Sequence, residues 1–299
     1  MSEHSWIDRY IRPLVKSEGA DGLLDDVAQL DGAGVQIATM DTLVEGVHFL
    51  PGDAMAGVGQ KLIRVNVSDI LAKGARPHEA LLSIAWPRAW PEAQFGALMA
   101  GIGADLKTYE IALLGGDLVK TDGPLVATLT LTGRCQKAGP VRRLGGAKPD
   151  DEIWVSGQIG WSVLGLEAAK AGEQSALADR YRIPRPPPLP AADIVAEHAR
   201  ASMDVSDGLL IDLERLVEVN GRGAVLQLEQ VPLARPDCDV ALALHQATGG
   251  DDYQILMITP PGQRFSDFTK IGRVTKALGL SVTFHGAPVN LPETLGFEH

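Results

Sequence analysis

Apolar positions recur along the chain at two spacings, and the switches between them mark the elements. Ile7, Tyr10, Ile11 and Leu14 repeat at helical spacing and predict a short amphipathic helix over 6–16. Gly19, Gly22 and Asp25-Asp26 follow, and a turn over 30–34 leads into a strand through Val35 and Ile37 to Asp41. Leu62, Val65 and Asp69 predict a helix over 56–74. A short apolar strand over 80–86 and a helix over 91–107, opened by Pro91 at its first turn, come next. Residues 111–114 read as a buried strand that ends in Gly115-Gly116-Asp117. Leu125, Ala127, Leu129 and Leu131 alternate with Val126, Thr128, Thr130 and Thr132, which predicts a half-buried strand with a threonine-rich second face.

Glycine and basic residues interrupt the pattern over 133–151, where Arg134, Lys137, Arg142, Arg143 and Lys148 cluster. This stretch divides the chain into expected domains of residues 1–137 and 138–299. Beyond it lie a strand over 153–156, a helix over 162–171 and a proline-dense, extended connector over 180–190. Ser202-Met203-Asp204-Val205-Ser206-Asp207-Gly208 reads as a strand end. An amphipathic helix follows, with Leu209, Leu213, Leu216 and Val217 inward and Gly221 as its stop. A strand over 224–228, a helix over 239–248, the run Gly249-Gly250-Asp251-Asp252-Tyr253 and strands over 254–258, 271–274 and 281–284 complete the chain. Val67-Ser68-Asp69 and Gly115-Gly116-Asp117 in the first half are echoed by Val205-Ser206-Asp207 and Gly249-Gly250-Asp251 in the second.

Two domains suit a chain of 299 residues, which is long for one ordinary core. A net charge of −11 argues against nucleic acid as a partner, because counterion release needs a basic surface. It leaves room for phosphorylated ligands if metal ions stand between the charges. Two cysteines, Cys135 and Cys238, are too few for a disulfide scaffold or a zinc cluster and fit a reducing, cytoplasmic setting. Residues 1–5 lack a basic region followed by an apolar run. No apolar stretch approaches the roughly 20 residues that cross a bilayer, so a membrane role is not expected.

The candidate chemistry lies in aspartates at strand ends and glycine turns: Asp26, Asp41, Asp69, Asp117, Asp204, Asp207 and Asp251. Each alone has an ordinary use, as a helix cap for Asp26 or Asp207, a turn for Asp41, or an i, i+4 ion pair with Lys73 for Asp69. Taken as a set converging on one place, they could not all stay ionised without cations, and Mg²⁺ suits short, hard carboxylate ligands. P-loop, dinucleotide-fingerprint and protein-kinase motifs are missing from the sequence, and no Ser/His/Asp arrangement stands out. His48, in a polar loop after Gly46, is a candidate ligand contact.

Five motifs, in this order and at this spacing, resemble the thiamine-monophosphate kinases over essentially the whole chain. They are the run 39–49 with its Leu-Val-Glu-Gly-Val-His core, Asn66-Val67-Ser68-Asp69, Gly115-Gly116-Asp117, Asp204-Val205-Ser206-Asp207-Gly208 and Gly249-Gly250-Asp251-Asp252-Tyr253. Single motifs also recur among aminoimidazole-ribonucleotide and selenophosphate synthetases. The resemblance implies a two-domain α/β (α+β) fold. The first domain's mixed sheet would pair with its copy in a homodimer to close a barrel, and an α/β layer domain would complete the cleft. It implies phosphorylation of thiamine monophosphate by ATP in a direct, in-line, Mg²⁺-assisted transfer. Several Mg²⁺ ions are expected, with K⁺ as a further candidate. Asp26, Thr39, Met40, Asp41, Asp69, Asp117, Asp204 and Asp207 match metal positions, Met40 only through its carbonyl because threonine is usual there. Asp41, Asp69, Asp117 and Asp204 are the acids expected to serve catalysis. Tyr109, Gly116, Asp117, Arg143 and Ser206 match positions around ATP, with Arg142 adjacent to Arg143. His48, Asp251 and Phe297 match the substrate pocket. Departures are Asp251 for glutamate, Leu118 for threonine, Leu189 for arginine and Leu24 for glycine. Two other readings are another ATP-using member of the superfamily, such as an aminoimidazole-ribonucleotide synthetase, and a non-catalytic Mg-nucleotide-binding regulator.

Overall fold

The structure, a computed structural model, describes residues 24–30 and 36–297 together with Arg12 and Gly22. The helix expected over 6–16 and most of the turn expected over 30–34 lie outside the described residues.

The first half is built from β1 (Ala28–Leu30), β2 (Gln36–Val44), α1 (Met55–Ala72), β3 (Ala75–Pro87), α2 (Glu92–Thr108), β4 (Ala112–Thr121) and β5 (Val126–Cys135). Its sheet runs in the order β1-β2-β5-β3-β4. Among the described strands only β3 and β4 are parallel, and α2 is the crossover between them. The alternation of β5 is as expected: Ala127, Leu129 and Leu131 are buried against the helices while the threonines face away. Helices α1 and α2 cover that one face. At their crossing, a Cβ on Gly101 would lie 1.9 Å from the Ala56 carbonyl oxygen, so only glycine lets the two backbones come this close.

β4 departs from expectation. It does not stop at Gly115-Gly116-Asp117 but runs through it to Thr121, and it is exposed rather than buried. Among the described residues it pairs with β3 alone and is an edge strand. The pairing slips between Ala80 and Leu81, so Leu114 is an extra residue and Gly115, at φ +147°, belongs to a bulge. The sheet is open, and its uncovered face and β4 edge carry Met40, Leu81, Leu114, Leu118 and Val119, all about half exposed or more.

The second half comprises β6 (Glu152–Ser156), α3 (Trp161–Lys170), α4 (Ala178–Arg182), α5 (Ala191–His198), β7 (Ala201–Val205), α6 (Leu209–Glu218), β8 (Gly223–Gln227), α7 (Val240–Thr248), β9 (Gln254–Thr259), β10 (Phe268–Thr275), β11 (Gly279–Phe284) and β12 (Ala287–Pro288). The sheet order is β12-β11-β8-β10-β6-β9-β7, with β8 and β11 its one parallel pair. The inward face of α6 is Leu209, Leu213, Leu216 and Val217, as its periodicity predicts. The proline connector is shorter than expected, because residues 180–182 finish α4 and Pro190 caps the unexpected α5.

α1 ties the halves together. Fourteen of its eighteen residues are buried, because strands of the first sheet pack on one side and β7, β9 and α5 on the other. That explains why it is apolar nearly all round. Trp154, Ile255 and Met257 of the second sheet join the same core.

Candidate active-site cleft

β2, α1 and β7 meet where the two sheets approach. Ser68 and Asp69 are neighbours on α1, so they point about 100° apart. Ser68 Oγ donates to Asp204 Oδ2 on β7 at 2.8 Å, while Asp69 Oδ2 accepts Thr39 Oγ1 of β2 at 2.5 Å. The Asp41 backbone N–H donates to Asn66 Oδ1 at 3.1 Å, and the Asn66 amide nitrogen donates to the Leu62 carbonyl. Wholly buried and doubly bonded, Asn66 is a bracket for β2.

Burial pushes Asp41 and Asp204 up to about 6. Asp69 is raised well above the usual carboxylate range by burial and by the negative charges of Asp204 and Asp41. One carboxylate oxygen each from Asp26, Asp69 and Asp204 lie within 4.8 Å of one another. Asp26 Oδ2 is buried with no hydrogen bond aligned on it, although Lys73 Nζ stands 2.5 Å away. An all-oxygen donor set and mutual repulsion among buried carboxylates fit a hard divalent cation such as Mg²⁺.

Lys73 does not pair with Asp69. It sits at the end of α1, wholly buried, 2.8 Å from Asp25 Oδ1, and donates to the Ser202 carbonyl at 2.6 Å. Asp69 takes the Thr39 hydroxyl instead. The Arg143 guanidinium also pairs with Asp26, whereas Arg142 reaches Gln29 Oε1 at 3.1 Å.

Asp207 is not the cap of α6. Gly208 holds that position, at φ +135°. Asp212, in the first turn, reaches back and accepts the N–H groups of Ser206, Asp207 and Gly208 at 3.0, 3.0 and 3.2 Å. Burial, with Asp207 and Asp204 nearby, pushes Asp212 up to about 7. Asp207 pairs with Arg215. An acid in the first turn after Ser-Asp-Gly is the signal that could have revealed Asp212.

At the other end, His48 Nδ1 accepts the Val44 N–H at 3.1 Å, so a neutral ring carries its proton on Nε2. Asp251 has φ +68°, with Tyr253 OH donating to Oδ1 and Lys61 Nζ to Oδ2, each at 2.8 Å. The Phe297 N–H donates to the Asp207 carbonyl at 2.9 Å and holds the C-terminal segment against the cleft. Sequence reasoning missed Lys61, whose one signal is a lone lysine among the apolar residues of 58–63.

The cleft has a volume of about 680 Å³. Asp26, Thr39, Met40, Asp41, His48, Asp69, Asp204, Ser206, Asp207, Asp251 and Phe297 line it. Tyr109, Gly116 and Asp117 do not. Asp117 pairs in register with Ser83, Thr128 and Thr42, on the face opposite Asp41 and three strands from β2, roughly 14 Å at about 4.8 Å per strand. Tyr109 stands at the end of α2, close to the Arg64–Asp105 ion pair.

A family model described as AIR synthase related protein, N-terminal domain, matches residues 24–135, and its C-terminal counterpart matches residues 148–284. The chain is 35% identical over 324 residues to a thiamine-monophosphate kinase of Caulobacter vibrioides, covering 100% of this chain and 91% of that protein. It is 33% identical over 327 residues to one from Salmonella typhimurium, covering 99% and 98%. A solved structure described as AaThiL complexed with AMPPCP and TMP matches with a TM-score of 0.85 at 29% identity, covering 100% of this chain and 97% of that one. By two family models that together match residues 24–135 and 148–284 and by relatives above 30% identity along its length, this chain belongs to the thiamine-monophosphate kinase family.

Proposed function

We propose that this chain transfers the γ-phosphoryl group of ATP to the phosphate of thiamine monophosphate, giving thiamine diphosphate and ADP, the last step in making that coenzyme. The observation that carries the reading is the convergence of Asp26, Asp41 and Asp69 from the first half and Asp204 from the second on one cleft whose far end presents His48, Asp251 and Phe297. Family membership supports it, as does the binding of AMPPCP and TMP by the structural neighbour.

Several Mg²⁺ ions held by these aspartates, with Thr39, the Met40 carbonyl and Asp207 at the margin, would neutralise the charge between two phosphorylated compounds. The attacking atom is a phosphate oxygen, already anionic at neutral pH, so the transfer needs no strong general base. The chain's own work is positioning: Thr39 orients Asp69, Ser68 orients Asp204, and Asn66 holds the backbone at Asp41. At the thiamine end His48 Nε2–H is a donor, the Asp251 carboxylate an acceptor, and the Phe297 ring a face for the cationic thiazolium.

The reading includes a homodimer in a cytoplasmic setting. Tyr109, Gly116 and Asp117 lie away from the cleft within one copy, and the apolar edge β4 is an invitation to pair. A second copy on that edge and open face would cover Leu81, Leu114 and Leu118 and carry Gly116 and Asp117 toward a nucleotide.

Incubation with ATP, Mg²⁺ and thiamine monophosphate tests the reaction, with the expected result one ADP for each thiamine diphosphate. Free phosphate without thiamine diphosphate would point to a synthetase. Tight binding of Mg-ATP with no product at all would point to a regulator.

A further inference from the structure

Lys61 is the one lysine that α1 buries at its middle, 1% exposed. Its ammonium donates to the His48 carbonyl at 2.8 Å and to Asp251 Oδ2 at 2.8 Å, and it lies 4.2 Å from the centre of the Tyr181 ring. Tyr181, on α4, also donates its hydroxyl to the His48 carbonyl at 3.3 Å. A buried ammonium persists only where charge and hydrogen bonds compensate it, and here a carboxylate, a carbonyl and an aromatic face do so. Those partners come from different places: His48 from the loop after β2, and Asp251 from the loop before β9.

We infer that Lys61 is a positioning residue for the thiamine end of the cleft, tying the 44–50 and 249–253 loops to the helix that both sheets share. The inference rests on the proposed reaction. Lys61 does not line the cleft, whereas His48 and Asp251 do. Its effect therefore passes through them. Asp251 needs such an anchor, because its backbone is left-handed and its side chain is about one-third exposed, held on one oxygen by Tyr253 and on the other by Lys61. Without the ammonium, that carboxylate loses its charge partner and the His48 carbonyl keeps only the longer Tyr181 contact among the bonds described.

The test is Lys61→Met, a neutral side chain of similar length, assayed with Mg²⁺ and saturating ATP. The expected result is a KM for thiamine monophosphate raised tenfold or more, with kcat and the KM for ATP within threefold of the parent. Asp251→Asn should raise the same KM, and the double variant should be no worse than the worse single, because the two residues act as one unit. A second readout uses the unliganded protein: hydrogen–deuterium exchange should quicken in both 44–50 and 249–253 and stay unchanged elsewhere in both sheets. A KM for thiamine monophosphate within twofold of the parent, an equal rise in the KM for ATP, or faster exchange in one loop alone would each overturn the inference. Should Lys61→Met fail to fold, Asp251→Asn removes the same ion pair at nearly constant volume. It must then loosen 44–50 as well as its own loop, or the inference fails. If the parent protein makes no thiamine diphosphate, the proposed reaction falls while the exchange measurement still decides the role of Lys61.

Discussion

The acids of the cleft differ in what holds them, and that difference sets what each substitution does. Asp69 accepts the Thr39 hydroxyl, Asp204 accepts the Ser68 hydroxyl, and Asp41 is steered through its backbone by Asn66. Among the described residues none of these three forms an ion pair, whereas Asp26 has both Lys73 and Arg143 against it. Asp41→Asn keeps the shape and removes the charge. We expect it to lower kcat by at least about a thousandfold, the upper end of what removing one preorganised electrostatic group does, with an unchanged far-ultraviolet circular dichroism spectrum. A near-normal kcat at saturating Mg²⁺ would exclude a metal-binding role for Asp41. These acids were legible in the sequence through the motifs that carry them rather than through strand ends, because Asp41 lies inside β2, which runs on to Val44, and Asp69 lies inside α1. Lys61 was not, because its meaning lies in a carboxylate 190 positions away.

Among the elements, α6 shows how a cap can come from inside. Three N–H groups from Ser206 to Gly208 converge on Asp212, which fixes the loop that presents Ser206 and Asp207 to the cleft. Asp212→Ala strands those donors in a buried place. Each unsatisfied donor costs about 1–3 kcal/mol, partly recovered by water, so a loss of about 2–4 kcal/mol is expected. Urea unfolding followed by fluorescence measures it, and a change below about 1 kcal/mol would mean the loop holds without Asp212. The inward stripe of α6 and the alternation of β5 were readable in advance, since period and face are local properties. The fate of β4 was not. Gly115-Gly116-Asp117 suits a turn as well as a bulged edge strand, and only the pairing with β3 decides.

On the scale of the whole molecule, the open sheet and the charged cleft lead to two expectations. Leu81, half exposed on the uncovered face, is not needed for the core of one copy. Leu81→Glu should therefore convert a dimer to a folded monomer in light scattering after size exclusion, with loss of turnover; a parent protein of one-copy mass would end the dimer proposal. The second concerns pH. Asp41 and Asp204 titrate near 6 when folded, above the ordinary carboxylate range of the unfolded chain. Between about pH 4 and 6 the folded state therefore binds more protons than the unfolded one, and stability falls as pH rises through that window. Without divalent metal, the melting temperature should drop between pH 5 and 7.5. Added Mg²⁺ should raise it more at pH 7.5 than at pH 5, because a cation binds the ionised carboxylates. Equal stabilisation at the two pH values would count against metal binding by these residues.

By itself the amino-acid order determined the helices and strands with strong periods, the acidic balance and the family motifs, because spacing and turn chemistry act between near neighbours. Tertiary structure alone decided which acids share a cleft. It turned Lys73 from Asp69 to Asp25 and Asp26, set Asp117 on the far face of the sheet from Asp41, and buried Lys61 between two loops. The physical reason is that charge and hydrogen bonding act across short distances in space. Which residues meet there depends on how α1 is clasped between two sheets, and no local spacing records that.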